Sequence, residues 1–248
     1  MTQPLNNVRV LDLSNIIAGP LCTYQLALLG AEVIKIEKPG TGDLARKMGL
    51  DPVLSERKMG TSFLAMNSGK KSVSLNLQHD RGQEIFKSLV KTADVVFENF
   101  RPGVMARLGF GFEDLKFLNS SIIYCAVSGF GQSGPLAKRP AYDQIIQGYS
   151  GLMSLTGPED GDPYRAGYTV CDAMGAMTAA FAITAALFRK QVTKEPAFID
   201  VSMLDSTLST MASWVISNHL NTGNIPERLG NQSHSAAPSG SFPTKDGQ

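Results

Sequence analysis

The chain has 248 residues, of which 43% are hydrophobic and 18% charged, and its formal net charge is +1. This length is enough to bury a core in one large domain or two small ones. A balanced charge argues against nucleic acid and membrane surfaces as partners, since both usually require a basic excess, and small molecules are expected instead. The N-terminal residues lack a basic segment followed by an apolar one, so we expect a cytoplasmic location.

Neither a metal site nor a disulfide framework is expected. Cys22, Cys125 and Cys171 are widely spaced in apolar contexts, and the three histidines are scattered along the chain. The cysteines are therefore interpreted as small core residues. The uncharged run from Ala173 to Phe188 is shorter than the roughly 20 apolar residues that a membrane span needs, so it predicts a buried helix.

The first predicted elements form a βαβ unit. Two β-rich runs, Val8 to Leu13 and Ala31 to Glu37, flank IIAGPLCTYQLALLGA, whose apolar residues fall near helical spacing. Such a unit places its two strands in parallel with the helix packed on the sheet. The sequence thus begins as an α/β fold.

The alternation of strands and helices continues, which predicts a doubly wound parallel sheet. Further strands are predicted over 72–77, 94–100, 122–130 and 197–203, and further helices over 80–91, 112–118, 142–155, 173–190 and 204–220.

The end of the chain differs in composition. It is rich in Gly, Pro, Ser and Asn and finishes on a turn signal, so we expect the chain to stop inside a domain. The predicted division is a large domain over 1–200, a linker helix over 201–230 and the beginning of a smaller second domain over 231–248.

The first strand–helix junction does not predict a nicotinamide or flavin site. Glu37, at the end of the second strand, stands where a ribose-binding acid could lie. The junction reads SNIIAGP, however, without the GxGxxG pattern that lets a backbone approach a pyrophosphate closely.

One carboxylate stands out, because Asp172 is the only charged residue between Arg165 and Arg189. It precedes the long apolar run, so one interpretation is a helix N-cap that accepts hydrogen bonds from the first free N–H groups. The other is a nucleophile, held ionised by the helix dipole in an apolar setting and flanked by Gly167 and Gly175. Both interpretations stay open.

Basic residues point to the kind of ligand. Several follow predicted strands, and the carboxyl edge of an open α/β sheet is where ligands bind, so cations there suit a phosphorylated molecule or else a solvated surface. These residues are Lys38, Arg46, Lys70, Lys71, Arg101, Arg107, Lys138 and Arg139.

The motifs together resemble a known family. The segments DLSNIIAGPLCTYQLALLGAEVIKIEKPGTGD, NSGKKSVSLNL, DVVFENFRPGVMARLGF, SGFGQSGP, the Asp172 segment and DVSMLDS follow in the order found in class III CoA-transferases, the formyl-CoA and carnitine CoA-transferase group. The resemblance runs from about Val8 to the last residue.

The resemblance implies a Rossmann-like large domain, an acyl-CoA substrate without a tightly bound cofactor, and an interlocked homodimer. It places the nucleophilic aspartate at Asp172, which would carry CoA transfer through an aspartyl-acyl anhydride and an aspartyl-CoA thioester. The CoA-contacting positions of the family fall on Asn15, Ile16, Ile17, Ala18, Lys38, Lys70, Lys71, Asn99, Phe100, Arg107 and Lys138.

Two departures from the family accompany the resemblance. Family members are longer, and a glycine-rich loop over the active aspartate should lie beyond Gln248. The APYG pattern appears as APSG, with Ser239 where an aromatic residue is usual, which we expect to change local packing only.

Two alternatives to a transferase are compatible with this fold. The α-methylacyl-CoA racemases share the fold but use a His where this chain has Tyr142, and a phenol with a pKa near 10 is a poor proton shuttle at pH 7, so a transferase is favoured. A non-catalytic acyl-CoA-binding protein is the other alternative.

For the substrate, Arg46 and the Arg57–Lys58 pair suggest binding of a second carboxylate, as in succinyl-CoA, or a surface role.

Overall fold

A computed structural model describes residues 3–233 and 236–247. Its centre is a six-stranded parallel sheet in the order β3-β2-β1-β4-β5-β6. The strands are β1 (Arg9–Asp12), β2 (Glu32–Glu37), β3 (Lys71–Ser74), β4 (Val95–Glu98), β5 (Ile123–Ser128) and β6 (Ala197–Ser202). This confirms the predicted α/β class and the doubly wound parallel sheet.

Ten α-helices surround the sheet in the described ranges. They are α1 (Ala18–Leu28), α2 (Pro52–Glu56), α3 (Thr61–Asn67), α4 (Asp80–Val90), α5 (Val104–Arg107), α6 (Phe112–Leu118), α7 (Asp143–Tyr149), α8 (Val170–Thr193), α9 (Met203–Met211) and α10 (Ser217–Thr222). Two 3₁₀ turns, Leu44–Lys47 and Met153–Leu155, and a π-helical segment, Ala212–Ile216, complete the regular structure.

The sheet has an apolar core on each face. On one face α1 and α8 cover it, with Leu26 and Ile183 fully buried. On the other face Phe86 of α4 and Leu115 of α6 pack beside Phe110. Because both faces are covered, the central strands are continuous apolar runs, such as IYCAV in β5. The three cysteines are buried, as predicted.

Helix α8 is the longest element, and only one of its sides is buried as the sequence predicted. By length and composition it could cross a membrane, but one of its sides packs on β5, β6, α1 and α9, which makes it a core helix of this domain. Its other side is exposed and apolar, with Phe181 and Phe188 both more than three-quarters exposed.

Two predicted helices end differently in the structure. The helix expected over 142–155 stops at Tyr149, because the chain turns at Gly151 with a φ of +80°. The helix expected over 204–220 is divided into α9 and α10 by the π-helical segment. The short helices α2, α3 and α5 were not predicted, since their apolar periodicity is too brief to register.

The C-terminal region carries little regular structure. Beyond α10 an isolated bridge pairs Gln232 with Gly240 in the described part of the tail. Residues 234, 235 and 248 of the predicted small domain lie outside the described residues. The proposed division into domains stays a prediction.

Substitution of Phe86 by Ala should lower the free energy of unfolding by about 3–5 kcal/mol, because it removes a fully buried ring that packs edge-on against Phe110 at 4.8 Å. The matched control is Phe117→Ala on α6, where the ring is 92% exposed and the change should stay within about 0.5 kcal/mol. Urea denaturation of both variants measures the difference, and equal losses would contradict the assigned core.

Candidate functional site

The loops that follow β1 and β4 meet at the point where the strand order reverses. The backbone N–H of Asn15 donates to Oδ1 of Asn99 at 2.8 Å, and Nδ2 of Asn99 donates back to the carbonyl of Asn15 at 2.9 Å. In open α/β sheets, ligands bind in the crevice at such a switch point. The paired asparagines therefore build the floor of the candidate site.

Ile16 is held in a strained conformation beside this pair. Its φ is +72°, a region that a β-branched residue rarely adopts and that costs about 1–3 kcal/mol. Its N–H donates to the Asp43 carboxylate at 3.0 Å, and that carboxylate is paired with the buried ammonium of Lys35 at 2.9 Å. The surrounding contacts thus impose the turn that leads into α1.

A buried charge cluster lies under this turn, formed by Asp12, Lys35, Asp43 and Lys70. Nζ of Lys70 donates to Asp12 at 3.0 Å and to Thr23, and Nζ of Lys35 lies 3.8 Å from the same carboxylate. Burial alone would raise the pKa of Asp12, but the two ammonium groups outweigh it and hold the pKa well below its usual range.

Asp172 lies in the first turn of α8, and the N-cap position belongs to Thr169. The free N–H groups of the helix are instead capped from another element. Oδ1 of Asp143, at the start of α7, accepts from the N–H of Cys171 at 2.7 Å and from the N–H of Asp172 at 3.0 Å. The N-cap interpretation of Asp172 is therefore wrong.

Asp143 is itself fixed by Gln147, one turn further along α7. Nε2 of Gln147 donates to the second oxygen of Asp143, and Oε1 of Gln147 accepts from the N–H of Ala166 at 2.8 Å. Both side chains are buried. Together they attach the segment before α8 to α7 and leave the Asp172 carboxylate free for other contacts.

The Asp172 carboxyl is less acidic than the sequence predicts. Burial, as the larger cause, and the negative charge of Asp143 together raise its pKa from 3.8 to about 7. Near neutral pH the group therefore divides between its protonated and ionised forms.

Asp172 lines a small cavity of about 220 Å³. Six of the predicted CoA-contacting residues line it as well: Asn15, Ile16, Ile17, Ala18, Asn99 and Phe100. A second cavity of about 590 Å³ contains Lys38 and Arg107 and shares Asn15 and Phe100 with the first. The structure thus brings eight of the predicted binding residues to two adjoining cavities.

Three predicted binding residues line neither cavity. Lys70 belongs to the buried cluster, where burial lowers its pKa against the opposing effect of Asp12. Lys71 pairs with Glu32 at 2.5 Å, and Lys138 is exposed outside both cavities. The spacing of the motif did not reveal which way these side chains point.

Arg46 also has a different role from the one suggested. Its guanidinium forms two hydrogen bonds with Glu37 and lies over the Phe63 ring at 3.8 Å. Ser72 and the N–H of Asp43 also bind Glu37, so its pKa falls to about 2 although burial opposes the change. This ion pair orders the loop after β2. It also neutralises the charge of Arg46, which is therefore not available to a ligand.

Sequence reasoning assigned no role in the site to Asp143, and it named Arg101 and Arg139 only among the cations that could suit a phosphorylated ligand or lie on a solvated surface. Both arginines line the cavity that contains Asp172, and their place after predicted strands was the one available signal. In the sequence, Asp143 is distinguished only by its position directly after Tyr142, which also lines this cavity. Its capping of α8 depends on a contact across 28 residues of chain.

Fold and site together define an α/β protein with a cavity at the switch point of its parallel sheet, lined by a desolvated carboxylate. The CoA-transferase family III model matches residues 5–248. The chain is 42% identical over 245 residues to succinyl-CoA:glutarate CoA-transferase of Mus musculus, with 99% of this chain and 55% of the relative covered. It is 43% identical over 244 residues to acetyl-CoA:oxalate CoA-transferase of Acetobacter aceti, with 98% and 61% covered.

A solved structure is similar as well. A CAIB/BAIF family protein from Brucella suis superposes with a TM-score of 0.90 at 34% identity, over 100% of this chain and 65% of that one. The chain belongs to CoA-transferase family III. It spans 55% to 61% of the length of these two curated relatives.

Replacement of Asp172 by Asn should stabilise the protein above neutral pH. The folded-state pKa is raised to about 7, so the folded state binds the proton more tightly and stability falls as pH rises from about 4 to about 7. Asp172→Asn removes this loss and should gain about 1–3 kcal/mol at about pH 8 and nothing near pH 4.

Urea denaturation at both pH values measures this gain. The control is Asp160→Asn, an exposed acid outside the cavity, whose stability should follow the wild-type pH dependence. A destabilised Asp172→Asn variant at pH 8 would contradict the desolvation described above.

Proposed function

We propose that this protein transfers CoA from an acyl-CoA donor to a carboxylic acid acceptor, with Asp172 as the nucleophile. The observation that carries the proposal is the position of the Asp172 carboxylate, desolvated at one end of two adjoining cavities. The names of the two curated relatives pair succinyl-CoA with glutarate and acetyl-CoA with oxalate. Succinyl, glutarate and oxalate are dicarboxylic, so a dicarboxylic substrate is part of the proposal.

The second cavity is the proposed site of the nucleotide portion of CoA. Lys38 and Arg107 line it and would bind phosphate groups. Leu75, Leu77 and Leu108 supply apolar surface for the adenine ring. We leave Lys70, Lys71 and Lys138 out of this assignment because their side chains lie elsewhere.

The junction of the two cavities is the proposed path of the pantetheine arm. Asn15 and Phe100 line both cavities, so an extended arm that passes them would carry the thioester from the nucleotide site toward Asp172. Ile16, Ile17, Ala18 and Asn99 would then flank the reacting end.

The proposed reaction exchanges activated carboxyl bonds. A carboxylate oxygen of Asp172 attacks the thioester carbonyl, the C–S bond breaks, and the CoA thiolate leaves an aspartyl-acyl anhydride behind. The thiolate then attacks the aspartyl carbonyl, which releases the donor acid and forms an aspartyl-CoA thioester. The acceptor carboxylate repeats the two steps in reverse and restores the Asp172 carboxylate.

The environment of Asp172 suits this role. A carboxylate with a pKa near 7 is a stronger nucleophile than a solvated one, because it has lost its hydration shell and gains more from forming a bond. The racemase alternative needs a second base, and Tyr142 occupies that position in the cavity.

We further propose that the protein acts as an interlocked homodimer. The exposed side of α8 carries Met177, Phe181 and Phe188 next to one another at helical spacing. An apolar surface of this kind on a soluble chain is typical of an interface.

Acyl-CoA together with hydroxylamine should convert Asp172 to a hydroxamate, because hydroxylamine cleaves both the anhydride and the thioester at the aspartyl carbonyl. Peptide mass spectrometry measures the modification, which should require acyl-CoA and be lost in Asp172→Asn. Asp160, an exposed acid, serves as the internal control and should stay unmodified. An unmodified Asp172 in a protein that exchanges CoA would rule out the covalent route.

The rate of CoA exchange should rise with pH and reach half of its maximum near pH 7, because only the ionised form of Asp172 attacks the thioester. Asp143→Asn keeps an oxygen acceptor for the helix N–H groups but removes the like charge, so the rising limb should move to lower pH.

The measurement is kcat/KM for acyl-CoA between about pH 5 and about pH 9. Asp160→Asn again provides the matched control and should keep the wild-type profile. Superimposable profiles of Asp143→Asn and wild type would show that Asp143 does not set the ionisation of Asp172.

A further inference from the structure

Arg101 and Arg139, both exposed to solvent, are among the residues that line the cavity containing Asp172. Arg46, by contrast, is neutralised by Glu37. Among residues 3–233 and 236–247, neither Arg101 nor Arg139 has a carboxylate within salt-bridge distance. A cavity with two uncompensated cations beside a reactive carboxylate favours a ligand that carries negative charge of its own.

The side chain of Arg139 contacts an aromatic ring and has no acidic side chain as its partner in the described residues. Its guanidinium carbon lies 5.0 Å from the centroid of the Tyr149 ring, and that ring packs edge-on against Phe130 at 5.2 Å. A cation–π contact restrains the side chain without neutralising it. All of its N–H donors that point away from the ring therefore stay available for an anion.

The chain connects Arg139 closely to the nucleophile. It lies four residues before Asp143, whose carboxylate caps the helix that carries Asp172. The wall between them, Pro140 to Tyr142, lines the same cavity. Arg139 and Asp172 therefore line one cavity and are linked through Asp143.

Arg101 has a different position. It follows Phe100, which lines both cavities, so its charge lies beside the path of the CoA arm. Arg101 and Arg139 both line only the cavity with Asp172, but Arg139 is not adjacent in sequence to a residue that lines the second cavity. Of the two cations, Arg139 is the one set apart from the proposed CoA path.

We propose that Arg139 is the specificity-determining residue of this site and binds the distal carboxylate of a short dicarboxylic acyl group. The inference rests on the function proposed above. A planar guanidinium matches a carboxylate with two parallel hydrogen bonds, which a monocarboxylic chain of the same length cannot form. The small volume of the cavity suits a short chain between the two carboxyl groups.

The test compares glutarate with pentanoate, which has the same number of carbons but lacks the second carboxylate. For the wild type, kcat/KM for CoA transfer should favour glutarate, and Arg139→Gln should reduce that preference about 10- to 100-fold through the KM of glutarate. The KM of the acyl-CoA donor acetyl-CoA and the rate with pentanoate should change little. Arg139→Lys keeps the positive charge but cannot form two parallel hydrogen bonds with a carboxylate. Its preference for glutarate should therefore lie between those of the wild type and Arg139→Gln.

The matched control is Arg81→Gln, an exposed arginine of α4 that lines neither cavity. Its preference for glutarate should equal that of the wild type. Thermal unfolding of each variant excludes a general loss of structure. Calorimetric titration with glutarate and pentanoate gives a second readout that needs no turnover.

The outcomes separate the two proposals. If the wild type exchanges CoA and Arg139→Gln keeps the preference for glutarate, the assignment of Arg139 is wrong and the proposed function stands. If the wild type binds glutarate through Arg139 without exchange, the assignment stands and the proposed function is wrong. A wild type that neither exchanges CoA nor binds glutarate overturns both.

Discussion

The neutral cluster of Asp12, Lys35, Asp43 and Lys70 connects the sheet to the site. Two carboxylates and two ammonium groups are buried together, and removal of any one would leave a charge without compensation. The cluster joins the end of β1 to β2, α1 and the start of β3, and through Asp43 it holds the N–H of Ile16. The strained turn at the switch point persists because hydrogen bonds from this cluster and from the asparagine pair hold it in place.

A second buried contact positions Asp172. Asp143 supplies the hydrogen bonds that the first turn of α8 needs, so Asp172 does not have to cap its own helix. The same contact brings two carboxylates close in a dry setting, and this proximity adds to burial in raising the pKa of Asp172. Burial of this carboxylate therefore lowers stability at neutral pH, and strongly shifted pKa values of this kind cluster at functional sites.

The elements of the fold were largely predictable because their signals are local. β-branched runs marked all six strands, and the helix over 112–118 was predicted with its observed bounds. The failures also have local causes. The helix after Tyr142 is cut by the turn at Gly151, and α8 begins before Asp172 because a distant side chain caps it. Short helices between β2 and β3 carry too few residues for a periodic signal.

The sequence by itself determined the fold class, the family and the candidacy of Asp172, since these depend on local pattern and on the order of motifs. Only the tertiary structure decided which charged residues are available to a ligand. Lys70 and Arg46 look like Lys38 and Arg139 in the sequence, yet the first two are neutralised by Asp12 and Glu37 whereas the others line cavities. A charge can bind a ligand only where no partner in the fold already satisfies it, and partners distant in sequence meet only when the chain folds.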